Sequence, residues 1–262
     1  MSNPLIPSDG VYRLSAHKLN MMLECPFKAY LYLSHFPEGP SEDCWAKCGS
    51  AVHDYAEDMT KGDLKEPEYY LQKYEVPQVV PGMGINLHDR FYKCIENVPK
   101  FAKLEGAIPE MTEYTDFVTP KGRKVSLQTR IDLQVENSTL PEAKGKVVVD
   151  YKTGKDVNKE EYRLQARCYM FAKGGEYKAL FYSLLSGKYF VIDKLPEDYI
   201  PKMCDNYIDH IENRELERTP NQNCDKFCPY REKYCAPNVY FQQLVPPGTE
   251  NEEVEEDDSD NA

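Results

Sequence analysis

The stretch Val147-Val148-Val149-Asp150-Tyr151-Lys152-Thr153-Gly154 decides how the rest of the chain is read. Three β-branched residues between Gly145 and Gly154 predict a short strand buried on both faces. Side chains alternate along a strand, so Asp150 and Lys152 point to the same side. An acid and a lysine at the end of a buried strand are costly unless something compensates them. Eighteen residues earlier, Asp132 closes the run Thr129-Arg130-Ile131-Asp132. If the two strands form a hairpin, the two carboxylates meet at one end of it. Held close they repel, and a divalent cation relieves the repulsion. Oxygen-only or oxygen-plus-imidazole ligation favours Mg²⁺ or Mn²⁺. Such a site suits phosphodiester hydrolysis, because the cation lowers the pKa of a bound water and neutralises the leaving oxyanion. Lys152 orients the water, or accepts its proton if its pKa is depressed. The Asp-x-Lys triplet alone, a common one, reads first as a surface ion pair at a strand end.

The pattern around this strand is mixed. Ser15 is an N-cap for a helix carrying Leu19, Met22, Leu23 and Tyr30, ending before Pro37. A second helix from Ser41 or Glu42 to about Met59 puts Trp45, Cys48, Val52 and Tyr55 on one face. Residues 61–83 read as loop with at most a short helix, and Ile85 to Leu104 read as helix. Glu113 to Val118 and Lys124 to Val135 alternate as strands around Pro120-Lys121-Gly122. Lys159 to Ala172 form a helix, Tyr177–Leu185 and Tyr189–Ile192 a hairpin, and Pro196 to about Glu215 a last helix. The order predicts an α/β fold with a mixed central sheet flanked by helices.

The 262 residues are 41% hydrophobic and 29% charged, which fits a folded domain and excludes a collagenous or disordered chain. No apolar run approaches the roughly 20 residues of a membrane helix, and MSNPLIPSDG lacks a secretory pattern. These features, with an odd count of nine cysteines, imply a cytoplasmic, reducing location and argue against a disulfide scaffold. The net charge of −12 counts against a nucleic-acid binder at first sight. Eight of those charges, however, lie between Glu250 and Asp260, and removing them leaves −4. Residues 250–262 therefore read as a disordered acidic tail, a solubiliser or a competitor for a basic groove.

Asp132, Asp150 and Lys152 match the acid…acid-x-lysine signature, and Asp150-Tyr151-Lys152-Thr153-Gly154 is close to the wording of one branch. The chain thus resembles the PD-(D/E)XK nuclease superfamily, specifically its RecB-like exonuclease branch. Gly49-Ser50-Ala51-Val52-His53 resembles the branch's Gly-x-x-x-His motif, and Gln165-Ala166-Arg167-Cys168-Tyr169 its Gln-x-x-x-Tyr motif. The resemblance implies a restriction-endonuclease-like fold. It implies His53, Asp132, Asp150 and the Tyr151 carbonyl as ligands of Mg²⁺ or Mn²⁺, with Gln165 and Tyr169 supporting the site. Glu113 is a weaker candidate carboxylate. Thr129 stands where branch members often carry Gly. The implied domain covers 1–249: a mainly helical part over 11–110, a catalytic core over 111–195 and a C-terminal helix with a cysteine segment over 196–240.

Cys224, Cys228 and Cys235 have spacing that can wrap one metal centre, which needs a fourth ligand. CRISPR-associated and AddB-type nucleases of the branch pair three such cysteines with an N-terminal one around a [4Fe–4S] cluster. The resemblance assigns that position to Cys25, in Cys25-Pro26. A four-thiolate Zn²⁺ site is the alternative. Cys44, Cys48, Cys94, Cys168 and Cys204 read as core thiols. The implied activity is a DNA exonuclease acting on single strands or duplex ends. The chain has no helicase motif, so it either acts alone or is supplied with ends by a helicase or recombination partner. Two alternatives stand beside it: a non-catalytic DNA-end-binding or assembly module on the same fold, and RNA as the substrate.

Overall fold

A computed structural model describes residues 6–38, 43–156, 160–192, 194–196, 198–213, 217–219, 224 and 228–235. The acidic tail at 250–262 lies outside these residues, as do Ser41, Glu42, Lys159 and the end expected for the last helix.

The chain opens on a strand that the sequence reading did not anticipate. β1 (Val11–Ser15) buries Tyr12 and Leu14 and pairs in parallel with residues 124–128. It is hard to see in sequence because it is five residues long and merges into a helix cap. Ser15 caps α1 (Ala16–Glu24), its hydroxyl accepting the Lys18 N–H at 3.3 Å. The single helix expected up to Pro37 is two helices. α1 stops at Cys25, which is extended at φ −162°, and α2 (Pro26–Leu33) starts afresh. A residue preceding proline disfavours the helical region, and proline at the first helical position lacks only a donor that would be unused.

α3 (Cys44–Lys61) ends on Gly62 in the left-handed conformation at φ +80°. The uncertain stretch that follows contains α4 (Pro67–Lys73). The helix expected over 85–104 is divided into α5 (Leu87–Ile95), capped by Asn86, and α6 (Pro99–Ala102). β2 (Ala107–Val118) and β3 (Lys124–Ser138) form a long antiparallel pair, followed by β4 (Gly145–Lys152). Then come α7 (Glu160–Ala172), β5 (Lys178–Ser183), β6 (Tyr189–Ile192) and α8 (Tyr199–Glu212).

The six strands form one mixed sheet in the order β1-β3-β4-β5-β6, with β2 paired to β3. β3 and β4 are antiparallel, and β4 and β5 parallel with α7 as the crossover. Helices cover both faces. Val147, Val149 and Tyr151 pack with α3 and α5, whereas Val148 packs with α7. α1, α2 and α8 cover the far end, over Val125 and Leu127. Along β3, Ile131 packs on the α7 side and Leu133 on the α3 side, although they are two residues apart. Asp132 sits at this change of face.

The β2–β3 turn is tied to α8 by charge. The buried Asp205 carboxylate accepts the Thr119 hydroxyl, the Lys121 N–H at 3.1 Å and Arg123 Nη1 at 3.2 Å. Arg123 also reaches Asp209 at 2.6 Å and Glu212 at 2.7 Å. The hydrogen bond from Lys121, with that from Arg123, holds the Asp209 carboxyl below its ordinary range, and Arg123 does the same for Glu212. Both depressed carboxyls stabilise the fold at pH values above about 4, where they are ionised in folded and unfolded chains. That contribution disappears as pH falls through the folded-state values. Arg123→Gln should therefore cost about 2–3 kcal/mol at pH 7, chiefly by leaving Asp205 buried with less compensation. Urea melts should show the variant losing less further stability than the native chain below about pH 4.

Candidate active site

The end of β4 carries the site because three elements converge on it. The ladder between β3 and β4 pairs Leu133 with Val149, and one more step along that register sets Asp132 opposite Asp150. There the Asp132 Oδ2 atom accepts the Tyr151 N–H at 2.7 Å. Its Oδ1 atom lies 3.2 Å from His53 Nδ1, presented by α3. On the other side of β4, α7 supplies Gln165 and Tyr169, one turn apart. The Tyr169 hydroxyl donates to Asp150 Oδ1 at 2.8 Å. Gln165 Nε2 donates to the same oxygen at 2.8 Å and to the Tyr169 hydroxyl at 2.5 Å. Lys152 Nζ lies 2.6 Å from Asp150 Oδ2 and donates to Gln165 Oε1 at 3.1 Å. The expectation that Asp150 and Lys152 share a face is met, because both engage α7.

The electrostatics follow from burial. Asp150 is 3% exposed, and loss of water is the largest effect raising its pKa. The Asp132 charge adds to the rise, and Lys152 opposes it. Burial also acts on Asp132, but the His53 charge and hydrogen bond, with Lys152 and the Tyr151 N–H, hold its carboxyl below the ordinary value. Burial disfavours the charged forms of His53 and Lys152. The carboxylates outweigh it in both, so both are raised. The two carboxylates thus favour the charged form of Lys152, which donates to Gln165. Burial and Asp150 raise the Tyr169 phenol well above its usual value.

These groups line a cleft of about 560 Å³. His53, Asp132, Asp150, Lys152, Gln165 and Tyr169 all border it. Glu113 does not, and is instead paired with Lys173, just after α7. The cleft contains further acids that the sequence reading passed over. Glu57 lies one turn beyond His53 on α3, and Glu110 faces it from β2. The i, i+4 spacing from His53 was the available signal for Glu57. Glu110 pairs with Arg130 at 2.8 Å at the mouth. Gly49 also borders the cleft, but a Cβ there would meet Thr153 Oγ1 at an ordinary 3.8 Å. Glycine is thus not sterically required at that position.

Among the described residues, no three His, Cys, Asp or Glu side chains are already gathered to hold a metal ion. That does not exclude a Mg²⁺-type site, since such ions keep several waters and take only one or two protein carboxylates. One feature of the donor set fits a cation. Asp150 is buried with a single cationic partner among the described residues, Lys152 Nζ at 2.6 Å, while the neighbouring Asp132 charge works against its ionisation. The cleft also has five carboxylates, Asp54, Glu57, Glu110, Asp132 and Asp150, against Arg130 and Lys152. Without a cation it would repel a phosphodiester.

Cys25 is buried at the break between α1 and α2. The Phe27 N–H just after it donates to Glu217 O at 3.1 Å, bringing the C-terminal segment to that break. Cys228 and Cys235 pack at the edge of the same apolar cluster. Burial first, and then the neighbouring thiols of Cys25 and Cys224, push the Cys228 and Cys235 thiols up. Cys48, Cys94, Cys168 and Cys204 are core residues, as expected, and Cys44 is buried with them.

A mixed sheet between helical layers, with paired acids and a lysine at the end of a central strand, defines a restriction-endonuclease-like nuclease fold. Residues 13–235 match the family model of the PD-(D/E)XK nuclease superfamily, and the chain belongs to that superfamily of metal-dependent nucleases. No curated protein matches the chain. Among solved structures, the crystal structure of SSO0001 is similar with a TM-score of 0.45 and 12% sequence identity. The alignment covers 89% of this chain and 88% of that one. Among the described residues, no helix is long and apolar enough to cross a membrane.

A cation that binds only the folded cleft should raise the melting temperature, contributing about 2.7 kcal/mol at a hundredfold excess over its dissociation constant. A Mn²⁺ titration followed by differential scanning fluorimetry should show this shift for the native chain. Asp132→Asn combined with Asp150→Asn should abolish it.

Proposed function

We propose that the chain is a metal-dependent DNA exonuclease of the RecB-like branch, acting on single strands or duplex ends. The observation that carries this reading is the convergence of Asp132, Asp150 and Lys152 with His53, Gln165 and Tyr169 in one acidic cleft. A binding module has no physical reason to bury Asp150 beside a second carboxylate, which weighs against the non-catalytic alternative. His53, Asp132, Asp150 and the Tyr151 carbonyl would hold Mg²⁺ or Mn²⁺. When bound, that ion would supply charge neutralisation at the phosphate and acidify a water.

The protein's own groups divide the remaining work. Lys152 orients the attacking water and donates to developing negative charge on the phosphoryl oxygens. Gln165 fixes Lys152 and Asp150 with one amide, and Tyr169 holds the Asp150 carboxylate. His53 locks the Asp132 rotamer. End-labelled single-stranded DNA incubated with Mn²⁺ should be shortened progressively, and RNA of the same sequence should be degraded more slowly. Lys152→Ala and Asp150→Ala should each reduce turnover at least about a hundredfold. Degradation that survives both substitutions would reject this mechanism.

Cys25, Cys224, Cys228 and Cys235 hold a [4Fe–4S] cluster in this reading, tying the α1–α2 break to the C-terminal segment. The electrostatic influence of Cys25 and Cys224 on Cys228 and Cys235, and the Phe27–Glu217 hydrogen bond, support it. Thiols with raised pKa values stay protonated until a metal displaces the protons, so assembly should release acid. Protein purified without oxygen should be brown and contain iron and sulfide, and Cys25→Ser should be colourless and melt at a lower temperature. Colourless native protein with stoichiometric zinc would establish the four-thiolate Zn²⁺ site instead.

A further inference from the structure

Next to the acidic cleft lies a second groove of about 560 Å³, between α1 and the first turns of α7. The two are neighbours, with Gln165 lining both. Their chemistry differs. The second groove is bordered by His17, Met21, Leu23, Tyr162, Leu164 and Tyr199. Its charged pair, Glu24 and Lys28, is internally neutralised at 2.8 Å. Leu23 is 60% exposed and lines the groove together with the exposed His17 imidazole.

Tyr162 stands in the groove wall nearest to Lys152. Its ring stacks on Phe181 at 5.3 Å and 14°, and Lys152 Nζ lies 4.6 Å from its centroid. The His17 ring is held edge-on by Tyr32 at 5.7 Å. Arg167 lies 4.4 Å from the centroid of the Tyr199 ring, fixing the far side of the groove.

We infer that this groove receives the unpaired nucleobases that flank the phosphodiester placed at Asp150 and Lys152. A nucleic-acid strand alternates charged phosphates with apolar rings. The paired clefts offer the same alternation: a carboxylate-lined pocket that takes phosphate through a cation, and an uncharged apolar groove one side chain away. Base faces become available for stacking only when the strand is unpaired, so the groove selects single-stranded ends. His17 is the stacking platform, and Leu23 and Met21 are the apolar floor. The inference rests on the nuclease reading and adds to it the element that recognises the strand.

The test compares single-stranded DNA oligonucleotides, intact or with abasic sites in the terminal positions, as substrates of the full-length protein with Mn²⁺. Loss of the stacked bases should raise KM about tenfold on the native protein. In the double variant His17→Ala, Leu23→Ser, KM for the intact strand should rise to the abasic value, and KM for the abasic strand should stay where it was. Both residues are exposed, and an unchanged thermal melt would confirm that the variant is folded. Equal KM values for the two oligonucleotides on the native protein would overturn the inference, as would a variant that keeps the tenfold preference. Either result with cleavage intact leaves the nuclease reading standing. Absence of cleavage on every strand overturns both.

Discussion

Two carboxylates face each other where the end of β4 meets the middle of β3, and one of them is almost fully removed from water. Charge in a low-dielectric setting is tolerated only with compensation, and the surrounding architecture supplies it from three directions. α3 brings the His53 imidazole to Asp132, α7 brings an amide and a phenol to Asp150, and β4 itself brings Lys152. Even so, acids outnumber bases around the cleft. The arrangement is compensated well enough to fold and remains short of positive charge, which is the condition under which a cation binds.

That constraint explains the form of the sheet. Asp150 and Lys152 must share the α7 side, while the intervening Tyr151 fills the core under α3. A strand buried on both faces meets that demand, and a parallel β4–β5 pair with α7 as crossover puts a helix directly above the two charged side chains. On the neighbouring strand, the change of face between Ile131 and Leu133 frees Asp132 to turn toward His53 and the Tyr151 N–H. The far end of the sheet needs different support, because β2 and β3 extend well beyond β4. There Arg123 and Asp205 fasten the hairpin to α8, and β1 covers the first residues of β3.

Much of the core was legible from residue pattern. The run of valines, the Asp-x-Lys phase and the Gln-to-Tyr turn on α7 all depend on strand or helix period, which is local. The failures were also local in cause. The break at Cys25-Pro26 is hidden because apolar spacing continues through it, and only the proline signals that the backbone changes course. β1 escaped notice because five residues next to a cap are too few to establish alternation. Leu23 was placed on one helix with Leu19 and Met22, but α1 buries those two and leaves Leu23 exposed in the groove.

The sequence by itself determined which residues could share a face, since the periods of 2 and 3.6 are properties of the backbone. It thereby placed Asp150 with Lys152 and Gln165 with Tyr169 before any packing was known. Only the tertiary structure decided that these two faces confront each other. It also decided that His53 reaches Asp132, that Glu57 and Glu110 complete an acidic cleft while Glu113 is taken up by Lys173, and that an apolar groove opens beside Gln165. Those outcomes depend on strand register and on helices distant in sequence. Both are set by which buried surfaces fit together, and no local period encodes that fit.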